Sequence, residues 1–396
     1  MATDSPSNSL REGAAASAQQ LLTARFGGPV RIDSFEPLDA SGRSNVFRCR
    51  LGAAPAGSPS GVILKQVQGD EEHPYDPEDA ERFHPAWRFF NDWSGAEILT
   101  EAGASLAPRF FGGDRALGFI LLEDLGPGES LAELLRGSDP AAAREGLLAL
   151  ARVLGRMHAA TAGKTEEYVA LRSRLGPTER RPVSSVREDW RRAREVVSRF
   201  EVPVSAHEDA ELESVVAELS DPGPFLAFTH GDPCPDNNRW ENGEMRLLDF
   251  EFGQLRHALT DGAYGRIPFP TCWCIGRLPA ELPAQMETVY RAELVAGVPE
   301  AADDGRFNAA LVAACASWTI GTMLWHLERA LEQDHQWGLA TLRQRIVFRL
   351  EELAATTAEF NRLPALGAAC AALAERLRAE WGPEAEIPIY PAFATK

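Results

Sequence analysis

One stretch of the chain, residues 229–252, constrains its fold more than any other. It contains, in this order, His230-Gly231-Asp232, Asn237 five positions after Asp232, and Asp249-Phe250-Glu251. The intervening Glu241-Asn242-Gly243-Glu244 is typical of a hairpin turn. Such a turn folds a strand over residues 245–249 back against the loop that carries Asp232 and Asn237. The segment therefore predicts a loop, a turn and a strand whose polar side chains lie close together.

The side chains of this segment are those that phosphoryl transfer requires. A carboxylate must lie beside the attacking hydroxyl, and two further oxygen ligands must hold Mg²⁺ on the nucleotide phosphates. Asp232 is the candidate for the first task, and Asn237 and Asp249 are the candidates for the second. Glu251 is a candidate ligand for a second metal ion. The spacing thus indicates an Mg²⁺-dependent phosphotransferase.

These motifs resemble the aminoglycoside phosphotransferase and choline kinase-like family, the small-molecule branch of the protein kinase-like fold. His230-Gly231-Asp232 is similar to the family's His-Gly-Asp, where protein kinases carry His-Arg-Asp. Asp249-Phe250-Glu251 is closer to the choline and ethanolamine kinases. The resemblance covers residues 30–265 and implies ATP as the phosphoryl donor. It also implies an α+β, bilobal fold with a small antiparallel-sheet N-lobe and a large, mostly helical C-lobe.

The expected organisation follows from this resemblance and from local composition. Residues 1–9 are rich in Ser, Asn and Pro and are predicted to be disordered. The N-lobe is expected at 10–122, a hinge at 123–126 and the C-lobe at 127–396. In the hinge, the resemblance implies that Glu123 and Leu125 offer backbone groups to the edge of the adenine base.

The strand predicted at 61–67 carries Lys65 in a β-branched run. It resembles the family's Val-Ala-Ile-Lys strand, which implies that Lys65 contacts the α- and β-phosphates. The turn before it, between strands predicted at 31–38 and 46–51, is similar to the family's phosphate-covering loop, although a bare hairpin is an equal alternative. Its candidate phosphate-binding residues are Ser41, Gly42, Ser44 and Asn45.

A phosphate-binding lysine needs an acidic partner on the following helix, which is predicted at 82–102. The family uses glutamate there, whereas Asp92 is the acid on the same predicted face as Phe89. Asp92 is therefore preferred as the partner of Lys65, with Glu97 as the rival. A solvated helix acid remains the alternative for either residue.

Two further residues are assigned structural roles by the resemblance. His230 is expected to stabilise the catalytic loop from within. Asp261 lies in a segment similar to the one whose aspartate anchors that loop from below. Both are therefore predicted to be scaffold residues rather than catalysts.

The acceptor pocket is expected at residues 267–279, which are rich in proline and aromatic residues. Phe269 and Trp273 are candidates to stack on a sugar ring or an amine, or else are core residues of an irregular loop. An arginine-rich block at 172–199 precedes residues 200–238, which contain acids but no lysine or arginine. The acidic block either suits a cationic amine or pairs with the arginines across helices.

Composition limits the partners and the compartment. The net charge of −18 over 396 residues argues against nucleic acid and anionic membranes as partners. No secretory signal is evident at 1–11, and the apolar run at 311–325 is too interrupted to span a membrane. Six scattered cysteines, of which only Cys272 and Cys274 are close in sequence, indicate a reduced, cytoplasmic protein.

The sequence therefore predicts a small-molecule kinase. An aminoglycoside-like or amino-sugar acceptor is preferred, with a choline-like amino-alcohol second. The alternatives are a catalytically silent nucleotide-binding pseudokinase and a kinase that acts on a protein. The acceptor's identity, the regiochemistry, the choice of ATP over GTP and the oligomeric state are not determined by sequence.

Overall fold

A computed structural model gives the structure and describes residues 6–39, 42–79, 81–103, 105–176, 185–241 and 243–394. The chain forms two compact units. Unit 1 comprises Met1–Gly128, Glu166–Glu179 and Arg246–Gln254, and unit 2 comprises Glu129–Thr165, Arg180–Met245 and Leu255–Lys396. Of the segment predicted to be disordered, residues 1–5 lie outside the described residues, and a helix begins at Pro6.

Helices and strands are numbered along the chain. The helices are α1 Pro6–Phe26, α2 Pro85–Glu101, α3 Leu131–Arg136, α4 Pro140–Thr161, α5 Thr165–Leu175, α6 Ser185–Ser198, α7 Ala206–Ser220, α8 Leu259–Gly262, α9 Leu282–Leu294, α10 Asp304–Glu332, α11 Leu342–Phe360 and α12 Pro364–Trp381. The strands are β1 Arg31–Asp39, β2 Ser44–Ala53, β3 Gly61–Val67, β4 Phe110–Asp114, β5 Phe119–Glu123, β6 Leu226–Thr229, β7 Asn238–Glu241, β8 Glu244–Leu247, β9 Gln254–His257, β10 Gln336–Trp337 and β11 Ala340–Thr341.

Unit 1 contains an antiparallel five-stranded sheet with the order β1-β2-β3-β5-β4. Successive side chains of a strand point to opposite faces of the sheet. Val62 and Leu64 on β3 are accordingly buried in a core cluster that includes Leu22 of α1, while Lys65 belongs to the opposite face. The alternation of β3 thus packs one face and presents the lysine on the other.

Helix α2 begins with Pro85 at its first turn, where proline's fixed φ and missing N–H are tolerated. The sequence predicted this helix at 82–102, and the structure places it at Pro85–Glu101. Most of its residues are buried, including Phe89 and the carboxylate-bearing Asp92. Burial of an acid on a core-facing position requires a partner, which the site below supplies.

Unit 2 is mainly helical. Ser130 and Glu133 form a capping box at the start of α3, so the backbone N–H groups of these two residues are satisfied by each other's side chains. Its C-terminal part contains the helices α9 to α12. No single helix in the described ranges is long and apolar enough to cross a membrane, although the bent pair Asp304–Thr322 and His326–Glu332 reaches that length and composition.

Two short pairs of strands flank the polar motifs. Strand β6 pairs with β9, and β7 pairs with β8 in the predicted hairpin, of which Asn242 lies outside the described residues. The strand expected to reach Asp249 ends at Leu247. It ends early because Asp249 adopts a left-handed backbone conformation, with φ of 66°.

The arginine-rich and acidic blocks pair with each other across α6 and α7. Arg187 lies 2.6 Å from Glu213, and Arg194 lies 2.6 Å from Asp209. This is the structural alternative considered for the two blocks. Arg180 and Arg181 lie outside the described residues. The acids of α7 in these pairs are therefore neutralised locally and provide no argument for a cationic acceptor.

Candidate active site

In unit 1 a single ammonium group joins three segments. Lys65 Nζ on β3 lies 2.7 Å from Asp92 Oδ2 on α2 and 2.8 Å from Asp249 Oδ1. Burial alone would lower the pKa of Lys65, but the carboxylates of Asp249 and Asp92 outweigh it and raise the pKa. The lysine is therefore held in its charged form between two acids.

Of the two acids considered as the partner of Lys65, the structure brings Asp92 to it. Asp92 Oδ1 also accepts the backbone N–H of Phe250 at 2.8 Å, so the short side chain is bonded through both oxygens. Glu97 instead accepts hydrogen bonds from Trp93 Nε1 at 2.7 Å and from Arg174 at 2.9 Å. Glu97 is thus engaged elsewhere on α2.

The left-handed backbone of Asp249 serves this arrangement. A φ of 66° is uncommon for a residue with a β-carbon and costs about 1–2 kcal/mol. The turn lets the carboxylate of Asp249 meet Lys65 while the next N–H, that of Phe250, meets Asp92. Strain of this kind persists where surrounding contacts over-determine the conformation, and it concentrates at functional sites.

The candidate phosphate-covering loop is described in part. Ser41 lies outside the described residues, and Gly42 precedes Ser44 and Asn45, which begin β2. Arg43, which lies between Gly42 and Ser44, was not singled out from the sequence. Its side chain reaches Glu251, as discussed below.

The expected hinge residues follow β5. The Glu123 carboxylate lies 2.9 Å from Arg246, and its backbone N–H donates to the Arg109 carbonyl at 2.8 Å. Leu125 is half-buried in the loop after the strand. The contacts of Glu123 are thus internal to unit 1.

In unit 2 the buried carboxylate of Asp261 organises the His-Gly-Asp loop. It accepts the backbone N–H of His230 at 2.6 Å and that of Gly231 at 3.2 Å. His158 Nε2 lies 3.3 Å from the same carboxylate. Burial alone would raise the pKa of Asp261, but the hydrogen bond from His158 and the nearby positive groups outweigh it and lower the pKa. Asp261 thus lies below the loop as an ionised anchor.

His158 has partners that its sequence context did not reveal. Its Nδ1 lies 2.8 Å from the hydroxyl of Tyr290 on α9, and its Nε2 contacts Asp261. Both contacts are fully buried. His158 is therefore a structural histidine of α4, which connects two helices to the anchor of the loop.

The carboxylate of Asp232 is oriented by a neighbouring loop. Thr271 Oγ1 donates a hydrogen bond to Asp232 Oδ1, and the Tyr264 hydroxyl lies 3.1 Å from Thr271 Oγ1. Asn237 Nδ2 donates to the backbone carbonyl of Asp232 at 2.9 Å. Thr271 was missed by sequence reasoning because a threonine in an irregular loop gives no signal of its contact 39 residues away.

The loop at 267–279 is held by buried arginines of α11. Arg345 donates to the carbonyls of Cys272 and Trp273 at 2.7 and 2.8 Å, and Arg349 donates to the carbonyl of Pro270. Burial lowers the pKa of Arg345 to about 9. These bonds fix the loop's backbone, so the position of Thr271 is set by α11.

The two aromatic candidates of this loop differ in placement. Phe269 is fully buried against Tyr264 and is therefore a core residue in this structure. Trp273 is half-buried, and its Nε1 donates to Asp236 at 2.7 Å. The guanidinium of Arg136 lies 5.4 Å from the centre of its ring.

The structure corrects the expectation that the cysteines are all reduced. Cys234 in the His-Gly-Asp loop and Cys272 in the 267–279 loop form a disulfide, with 5.6 Å between their Cα atoms. Cys274, the close sequence neighbour of Cys272, is a free, buried thiol. Cys234 Sγ lies 3.0 Å from Asp232 Oδ1. The pair was missed because its members are 38 residues apart and meet only through the fold.

Comparison with known families identifies the chain. Residues 39–293, well over half of its length, match the model of the phosphotransferase enzyme family (APH). The chain belongs to this family. The matched span contains the described site residues of both units, from Gly42 to Thr271. No protein with a curated description matches the chain.

Several solved structures are similar to it at low identity. A choline/ethanolamine kinase family protein from Mesorhizobium loti is 16% identical with a TM-score of 0.44, over 91% of this chain and 99% of that one. The choline kinase LicA from Streptococcus pneumoniae is 13% identical with a TM-score of 0.44, over 86% and 98%. An aminoglycoside phosphotransferase, APH(4)-Ia, in complex with ADP and hygromycin B, gives the same four values. Similarity at this level does not assign an acceptor.

Membership of the family confirms three predictions. The resemblance to aminoglycoside phosphotransferases and choline kinases is confirmed. The fold class is also confirmed, as a kinase-like fold with a small antiparallel sheet near the N-terminus and a helical C-terminal part. The enzyme class, a small-molecule phosphotransferase, is confirmed at the level of the family.

Replacement of the buried anchor by Asp261→Asn is expected to lower the free energy of unfolding at pH 7 by about 2–3 kcal/mol, because buried N–H groups lose an ionised acceptor. The folded-state pKa of Asp261 is lowered, so this contribution is present above about pH 4 and disappears as the pH falls through the folded value. Urea unfolding of wild type and Asp261→Asn at pH 7, 5 and 3 measures this contribution to the free energy of unfolding. The difference from wild type should shrink toward pH 3, whereas the exposed control Asp304→Asn should stay within about 0.5 kcal/mol throughout.

Loss of the disulfide is expected to destabilise the protein. Loop-closure entropy for a separation of 38 residues corresponds to about 4 kcal/mol. The double variant Cys234→Ser, Cys272→Ser should melt at a lower temperature than wild type. Treatment with a phosphine reductant should lower the melting temperature of wild type and leave that of the double variant unchanged. Equal sensitivity of both proteins to the reductant would contradict a structural role for this bond.

Proposed function

We propose that the protein transfers the γ-phosphate of ATP, with Mg²⁺, to a hydroxyl group of a small molecule. The observation that carries the proposal is the charged Lys65 held between Asp92 and Asp249. A phosphotransferase requires such a lysine for the nucleotide phosphates and such an aspartate for the metal. Family membership independently supports the same chemistry.

Asn237 and Asp249, which we assign to the metal, each offer an oxygen atom of the kind that a hard divalent cation prefers. Mg²⁺ prefers oxygen ligands, and Asp249 offers a carboxylate at the end of a strained turn. Asn237 uses its amide nitrogen to bond the Asp232 carbonyl, so its amide oxygen is the atom we assign to the metal. When bound, Mg²⁺ would neutralise charge on the phosphate oxygens. Lys65 would bind the phosphates and exchange its pairing with Asp249 for them.

Asp232 is the proposed base. Its carboxylate orients the acceptor hydroxyl and receives the proton late in the transfer, when the new O–P bond is largely formed. The hydrogen bond from Thr271 to Oδ1 limits rotation of the Asp232 carboxylate. The second carboxylate oxygen is thereby held in one orientation for the acceptor hydroxyl. Anchoring of the preceding residues by Asp261 keeps the loop in place. Positioning of this kind accounts for much of the catalysis in phosphoryl transfer.

The proposed acceptor is an aminoglycoside-like compound or amino sugar, and next a choline-like amino-alcohol. The net charge of −18 favours a cationic over an anionic acceptor through its long-range field. Trp273 is the remaining aromatic candidate for stacking, because Phe269 is buried. Phosphorylation of a protein acceptor and nucleotide binding without transfer are the outcomes that an acceptor screen distinguishes.

The test is ADP release with Mg·ATP against a panel of aminoglycosides, amino sugars, amino-alcohols and other hydroxyl-bearing metabolites. Asp232→Asn, nearly isosteric, should abolish acceptor-dependent release while the melting temperature still rises with ATP. An acceptor-dependent signal that survives in Asp232→Asn would refute the assignment of the base. Stabilisation by ATP without turnover on any acceptor, including protein mixtures incubated with labelled ATP, would instead indicate a silent nucleotide-binding protein.

Removal of the hydroxyl that orients Asp232 is expected to lower kcat rather than to raise KM for ATP. Thr271→Val keeps the shape of the side chain and loses one hydrogen bond to a charged group, worth about 10-fold in rate. Thr271→Ser retains the hydroxyl and should restore most of kcat. A valine variant with unchanged kcat, or a serine variant as slow as valine, would show that Thr271 acts only through packing.

A further inference from the structure

Unit 1 contains a small cavity beside Lys65, and some of the residues that line it have no part in the proposed roles of Lys65, Asp92 and Asp249. Its walls come from the start of β2, from β3, from α2 and from the segment after Asp249. Besides Lys65 and Asp92, it is lined by Arg43, Arg88 and Glu251. Two guanidinium groups therefore face the same space as the lysine.

Arg43 connects the loop before β2 to the segment after Asp249. Its Nη1 lies 2.5 Å from Glu251 Oε1, and its guanidinium lies 5.6 Å from the centre of the Phe252 ring. Its backbone carbonyl accepts the N–H of Gln68 at 2.8 Å. The backbone of Arg43 is thus fixed to the sheet while its side chain crosses to an acid 208 residues away.

Arg88 approaches the same acid from the other side. It lies on α2 one turn before Asp92, and its Nε is 3.5 Å from Glu251 Oε2. Nη1 of Arg88 donates to the carbonyl of Phe83 at 2.8 Å. Each oxygen of Glu251 therefore faces a different guanidinium group.

The two arginines differ in how firmly they are held. The side chain of Arg43 is 57% exposed, against 17% for Arg88 and 16% for Glu251. An ion pair with an exposed partner contributes at most about 1 kcal/mol, so Arg43 can change partner at little cost. A largely buried carboxylate left without a cation would be much more costly. Arg88 removes that cost, because it remains beside Glu251 when Arg43 leaves.

The charged groups of this region are suited to an exchange of ion-pair partners. Lys65, Arg43 and Arg88 face three carboxylates, those of Asp92, Asp249 and Glu251. A metal ion at Asp249 would bring positive charge to the carboxylates. A polyphosphate would bring negative charge to the three cations. Charge-assisted hydrogen bonds from a guanidinium to phosphate are among the strongest available in a protein site.

We propose that Arg43 is a second phosphate-binding cation, which Glu251 holds in place in the nucleotide-free enzyme and releases to the nucleotide. Glu251 is then a competitor of phosphate for Arg43, retained by Arg88, rather than a ligand of a second metal ion. The inference rests on the proposed function for the nucleotide. It adds a residue and a step of partner exchange.

Calorimetric titration with adenosine, AMP, ADP and ATP tests the proposal without an acceptor. Arg43→Gln should weaken ATP binding by about 10-fold or more and leave adenosine binding unchanged, because only phosphate contacts are lost. Arg50→Gln, which changes an exposed arginine on β2, the strand that follows Arg43, is the matched control and should bind ATP like wild type. Circular dichroism melts check that each variant is folded.

Glu251→Gln separates the competitor from the metal ligand. Titrated with ATP in EDTA, it should bind several-fold more tightly than wild type, because Arg43 no longer has a competing carboxylate. Equal ATP affinity of Arg43→Gln and wild type, or weaker binding by Glu251→Gln in EDTA, would overturn the inference. Failure of the proposed function gives a different result, in which wild type does not bind ATP or Lys65→Met binds it equally well.

Discussion

The unit that contains the five-stranded sheet depends on one interaction, the ion pairing of the Lys65 ammonium group. This group is one cation shared by Asp92 and Asp249, and it brings together a central strand, a buried helix and the turn after β8. Asp92 is buried, and a buried carboxylate is tolerated only where its charge is compensated, so Asp92 depends on the lysine for its position. The left-handed backbone of Asp249 follows from this requirement, since the same turn delivers a carboxylate to Lys65 and an N–H to Asp92.

In unit 2 the central charged group is an anion rather than a cation. Asp261 gathers two backbone N–H groups of the His-Gly-Asp loop and a histidine from α4. The loop is tied on its other side to residues 267–279, whose backbone carbonyls are bonded by two buried arginines of α11. The carboxylate of Asp232, the proposed base, lies on an irregular loop and thus acquires the rigidity of the helices around it, which is what positioning for phosphoryl transfer requires.

Local patterns predicted much of this arrangement. A β-branched run located β3 and its lysine. The 3.6-residue period favoured Asp92 over Glu97 as the partner of Lys65, because helix faces can be counted in sequence. The spacing of the His-Gly-Asp and Asp-Phe-Glu motifs selected the family that the chain belongs to. The contacts of Thr271, Arg43 and the cysteine pair could not be found in this way. Each joins residues 38 or more positions apart through irregular loops, whose proximity is a property of the tertiary structure alone.

The bond between Cys234 and Cys272 has a practical consequence for anyone who handles this enzyme. It fastens the loop of the proposed base to the loop that orients it, within a few ångströms of Asp232. Purification buffers usually contain thiol reductants, and the cytosol of a bacterial expression host is itself reducing. Protein prepared in that way would differ covalently, next to its proposed base, from the form described above. Its oxidation state therefore belongs among the quantities to be recorded with every rate, alongside pH and metal concentration.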